Sequence, residues 1–130
     1  MKKMLLLLLM TAGSFFAFSQ VANTAQRELR HVVLFTFKPG STKEDIANVV
    51  QQFAGLYGKV PQVKKFEWGL NISPEHLDLG FTHCFMLTFY SEKDLADYQQ
   101  NPAHKQFQTV LKPIMDKVFV VDYWVEPNPK

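Results

Sequence analysis

Four stretches of the chain are rich in β-branched and aromatic residues, and three others space their apolar residues three or four apart. His31-Val32-Val33-Leu34-Phe35-Thr36-Phe37-Lys38 stops at Pro39-Gly40, which predicts a strand followed by a turn. Ser41-Thr42-Lys43-Glu44 fits a capping box, with Ser41 as N-cap and Glu44 reaching back. Ile46, Val49, Val50, Phe53 and Tyr57 then recur at helical spacing, so a first helix should end near Gly58. Val63 to Ile72 reads as a second strand, with Phe66, Trp68, Leu70 and Ile72 on one face. Thr82 to Tyr90 makes a third. Ser91 opens a short helix carrying Leu95 and Tyr98, and Asn101-Pro102 caps and starts another. That last helix has a stripe of Phe107, Val110, Leu111, Ile114 and Met115, and Pro113 should end it near Lys112. Val118 to Val125 is the final strand.

The order β-α-β-β-α-α-β matches the ferredoxin-like split βαβ plan, an α+β fold with a four-stranded antiparallel sheet and helices on one face. A sheet with one wet face should alternate cleanly, yet the first and last strands are apolar on both sides. Val33, Phe35 and Phe37 oppose Val32 and Leu34; Val118 and Val120 oppose Phe119, Val121 and Tyr123. Helices cover only one face. The other calls for a partner, and a homodimer packed sheet against sheet is the simplest supply.

The first nineteen residues stand apart from this pattern. Met1-Lys2-Lys3, an apolar run from Met4 to Met10 and small residues at Ala17 and Ser19 have the order of a cleavable secretory signal peptide, cut before Gln20. The run falls short of the roughly 20 residues that span a bilayer, so no stable membrane span is expected after cleavage. An exported protein, periplasmic or secreted, follows, with residues 20–29 as linker and residues 30–127 as the domain. Without Lys2 and Lys3 the chain keeps 12 basic side chains against 12 acidic ones. No basic patch remains to recruit nucleic acid. The single cysteine, Cys84, has no intrachain partner and sits in an apolar strand, where burial is expected.

The candidate chemistry lies with histidine and tyrosine. If the first and third strands run side by side and parallel, His31 and His83 open them at one end and on one face. His104 is the third residue of its helix, where the positive helix end disfavours imidazolium and leaves a neutral proton acceptor. Tyr98, just before that helix, is placed to hydrogen-bond to His104 or to a substrate carbonyl. Each has a plainer reading: a solvated strand end for His31 and His83, a structural helix residue for His104, a core ring for Tyr98. No His-x-His, His-x₃-His or Cys-x₂-Cys spacing supports a metal site, and no glycine loop cradles phosphate. No metal and no cofactor are expected.

Several segments resemble the stress-responsive A/B barrel domain family: Arg30-His31-Val32-Val33-Leu34-Phe35, Trp68-Gly69, Gly80-Phe81-Thr82-His83, and Tyr98 through Asn101-Pro102-Ala103-His104 to Phe107. They run over nearly the whole predicted domain. The resemblance implies a dimeric α/β barrel, and some members are associated with stress tolerance. One plant member is a polyketide cyclase that works by acid–base chemistry through a Tyr–His pair, without metal or organic cofactor. Tyr98 and His104 stand at the positions of that pair, and His31 and His83 at those of two further pocket histidines. Asn101 replaces another histidine of the cyclase, and Phe53 a helix tyrosine.

The resulting expectation is an apolar small-molecule pocket with His104 as general base and Tyr98 as its partner. His31, His83, Trp68 and Phe107 are assigned to substrate contact. The reaction class is proton abstraction beside a carbonyl, in a cofactor-independent cyclase- or lyase-like enzyme. The alternative is a non-catalytic dimeric binding or stress-protection protein whose pocket is filled by its own side chains. A cofactor-free oxygenase is a third reading, resting on fold analogy alone.

Overall fold

A computed structural model describes residues 25–129 of the chain; the leader and the start of the linker lie outside them. The strands are β1 (Leu29–Phe37), β2 (Lys65–Leu70), β3 (His83–Phe89) and β4 (Met115–Trp124). The helices are α1 (Lys43–Ala54), α2 (Leu56–Lys59), α3 (Glu92–Gln100) and α4 (Pro102–Leu111). The strands form one antiparallel sheet in the order β2-β3-β1-β4, the split βαβ arrangement expected from the element order. No helix among the described residues is long and apolar enough to cross a membrane.

Register divides the sheet into two faces. Val33 lies opposite Phe85 of β3 and Val120 of β4, and Phe85 lies opposite Trp68 of β2. Side chains in phase with these face the helices. Phe53 of α1 is the centre of that layer: its ring stacks on Phe107 of α4 at 4.6 Å and meets Phe85 at 4.7 Å. Both distances suit offset aromatic packing, which stabilises beyond the area buried.

The other face carries Val32, Leu34, Met86, Phe119 and Val121, and no helix among the described residues covers it. Strand β4 is open on both sides, with every residue from Val118 to Val121 more than two-fifths exposed. Cys84 belongs to this outer face and is half-buried, not enclosed as expected. Burial, assisted by the Glu67 carboxylate, pushes its thiol above the ordinary range.

Local signals misled at several element ends: Met115, read as part of the last helix's stripe, opens β4, and β2 is shorter than Val63 to Ile72. Thr42, not Ser41, caps α1: its Oγ1 accepts from the Asp45 amide at 3.1 Å, and Asp45 reaches back to the Thr42 amide at 3.3 Å. Ser41 donates instead to the Lys38 carbonyl, closing the turn at Gly40, whose φ of 88° suits glycine. The helix also breaks at Gly55, short of Gly58. A one-turn α2 then seats Leu56 in the core and leaves Tyr57 exposed. Finally, β1 starts at Leu29, which is buried.

Candidate functional site

The antiparallel run of β1 and β3 decides which histidines can meet. His31 pairs with Leu87, whereas His83 pairs with Phe35 at the opposite end of the strands. Four residues of β3 separate the two levels, about 13 Å at 3.3 Å per residue. The parallel arrangement read from sequence is therefore corrected, and His83 does not join His31. His83 lies beside Trp68, ring centroids 6.5 Å apart and planes within 4°, in a shallow groove bounded by Ile46 and Val50 of α1. Burial lowers the pKa of His83. Trp68 is half exposed and likewise remote from His104.

His31, Tyr98, His104 and Phe107 do come together. They border a cavity of about 560 Å³ between α4 and the helix-facing side of β1 and β4. Its apolar wall includes Val33, Leu111, Met115, Val118 and Val120. This volume is in the range of small-molecule sites.

Asn101 sets one wall. Its side chain accepts from the Ala103 amide at 2.8 Å, and Pro102 occupies the first helical position. His104 therefore starts α4 on the side facing the end of α3, where its Nδ1 lies 3.2 Å from the Gln99 carbonyl. A carbonyl can only accept, so Nδ1 carries the proton and neutral His104 keeps its lone pair on Nε2. Burial lowers the pKa of His104; the Gln99 carbonyl opposes the shift and nearby His31 adds to it. The expected neutral imidazole is thus favoured chiefly by burial.

Tyr98 is within α3 and fully buried, its ring 4.4 Å from that of His104 and 5.9 Å from that of His31. It does not hydrogen-bond to His104. Its hydroxyl has no hydrogen-bond partner among the described residues, and burial drives its pKa far above the ordinary phenol range. The group is a neutral donor at any physiological pH.

A further residue was missed in the sequence. Asp122 stands directly opposite His31 in the β1–β4 register, its Oδ1 2.6 Å from His31 Nδ1. The carboxylate accepts from Nδ1–H and fixes the ring and its tautomer. The available signal was an acid in phase with Val118 and Val120 on an apolar stretch of strand. Among the described residues no three His, Cys, Asp or Glu side chains are grouped to hold a metal ion.

The sheet, its helix-covered face and this cavity define a ferredoxin-like α+β protein with a histidine–tyrosine pocket. The family model of the Stress responsive A/B Barrel Domain matches residues 29–125, and the chain belongs to that family. It is 38% identical over 99 residues to the stress-response A/B barrel domain-containing protein HS1 of Arabidopsis thaliana, covering 76% of this chain and 91% of that protein. Against olivetolic acid cyclase of Cannabis sativa it is 26% identical over 95 residues, covering 73% and 94%. The fold is shared with the hydroxynitrile lyase of Passiflora edulis, at TM-score 0.75 and 24% identity over 81% of this chain and 99% of that one. It is shared too with a dimeric ferredoxin-like protein of unknown function from Thermobifida fusca, at TM-score 0.66 and 17% identity over 78% and 93%.

Proposed function

We propose that this chain is a subunit of an exported homodimer whose cavity takes an apolar carbonyl compound and moves a proton beside its carbonyl. The observation that carries the reading is the Tyr98–His104 pair: a buried neutral hydroxyl without a partner, against an imidazole whose Nδ1 is committed to Gln99. In this reading Tyr98 donates to the substrate oxygen and stabilises the negative charge that develops there. His104 Nε2 takes the proton from the adjacent carbon. His31, held by Asp122, is a second polar contact, and Phe107, Val118 and Val120 receive the apolar part.

The kinship to olivetolic acid cyclase supports a cyclase- or lyase-like reaction. A non-catalytic role predicts a pocket closed or filled by its own side chains; an opening of about 560 Å³ bordered by His104 supports a ligand cavity, to which Tyr98 presents no exposed surface. The homodimer is supported by the bare outer face and by the dimeric protein of the same fold. Export rests on the leader sequence, and its mark would be a mature protein beginning at Gln20.

The test is titration of the protein with medium-chain methyl ketones while following histidine ring resonances. Shifts confined to His31 and His104, with His83 and His76 unmoved, support the site. Uniform shifts, or none, would sink it.

A further inference from the structure

Three large aliphatic side chains stand in water on the segment joining β2 to β3: Ile72, Leu77 and Leu79 are 92%, 77% and 79% exposed. Single exposed apolar residues need no explanation, but three on one built loop do. This loop is held in shape. Asp78 accepts from the Asn71 side chain and from the Gly80 amide, each at 2.7 Å, and the Ser73 amide donates to Asn71 Oδ1 at 2.9 Å. Lys117 of β4 donates to the Leu79 carbonyl at 2.8 Å. Leu79 and His76 also hold left-handed backbone angles, φ 52° and 56°, which non-glycine residues adopt only when their surroundings impose them.

The loop stands at the rim of the outer sheet face. Phe81 packs against Phe119 at 6.1 Å, and the hollow at its foot is lined by Leu34, Cys84 and Met86. Leu34, Met86 and Phe119 are residues of the bare face itself. Raised aliphatic side chains and an apolar hollow thus lie on one continuous surface of one chain. That is the self-complementarity a two-fold pair of identical subunits needs. We infer that the loop from Ile72 to Leu79 is the clasp of the homodimer, its aliphatic side chains seating on the outer face of a second copy. The inference rests on the dimer proposed above.

Sedimentation equilibrium of the full mature chain tests it, comparing wild type with the double variant Leu77→Ser/Leu79→Ser and with Leu77→Lys. Both positions are mostly exposed, so far-UV circular dichroism should not change. The expected result is a dimer dissociation constant raised at least tenfold in both variants. An unchanged constant overturns the clasp while leaving the dimer intact, and vesicle binding by the loop in that case would assign it to a lipid surface instead. A wild type that sediments as a monomer at all concentrations overturns the dimer and the clasp together.

Discussion

Tyr98 and His104 lie ring to ring at 4.4 Å, yet no hydrogen bond joins them. A buried hydroxyl without a partner costs about 1–3 kcal/mol of desolvation. Tyr98→Phe should therefore leave stability unchanged or raise it by up to about that amount. Turnover should fall in the same variant, because the donor to the substrate oxygen is gone. Thermal unfolding and turnover measured together check this, and a loss of both would mark Tyr98 as structural only.

The protonation of His104 sets a pH limit. Its pKa lies below the ordinary imidazole value of 6.5, so the free base persists into mildly acidic solution. Activity should be flat above pH 6.5 and fall as pH drops through the depressed folded value. The contribution to stability has the same sign: the unfolded chain binds the proton more readily, so stability is full above 6.5 and declines as pH falls from there. Activity that declines above pH 7 would contradict the assignment of a neutral base.

Asp122 acts on the site through His31. Asp122→Asn keeps the shape but removes the charge from a 2.6 Å bond, a loss on the order of 1–2 kcal/mol for a partly exposed acceptor. The His31 ring should gain mobility, read as broadened resonances, with lowered turnover.

Phe53 anchors the layer between helices and sheet. Phe53→Ala should cost about 3–5 kcal/mol, measured by urea unfolding, since it removes a ring stacked on Phe107 and packed on Phe85. A cost below about 1 kcal/mol would mean that the cavity wall is not rigid.

The element order was legible because strand and helix patterns differ in period, and the bare outer face was legible from Val32, Leu34, Phe119 and Val121. The family resemblance pointed to Tyr98, His104 and Phe107, strand phase put His31 on the helix-facing side, and the structure brings the four to one cavity. Direction was the weak point. Phase puts His83 on the helix-facing side, but the parallel reading of β1 and β3 conflicts with the antiparallel split βαβ plan itself, and the antiparallel pairing sends His83, with Trp68 beside it, to the other end. Asp122 was passed over for the same reason: its meaning comes from a partner ninety-one positions earlier. The cap shifted from Ser41 to Thr42 because the turn at Gly40 consumes Ser41, a competition that a four-residue motif does not display.

Deuterium exchange tests the central claim most directly. A medium-chain methyl ketone is incubated in D₂O with wild type, His104→Ala and Tyr98→Phe, and loss of the protons beside the carbonyl is followed by NMR. The wild type should accelerate exchange, with the His104→Ala rate lower by roughly 10²–10⁴-fold and the Tyr98→Phe rate also reduced. Exchange at the buffer rate with the wild type, despite binding in the cavity, would contradict acid–base chemistry at this pair.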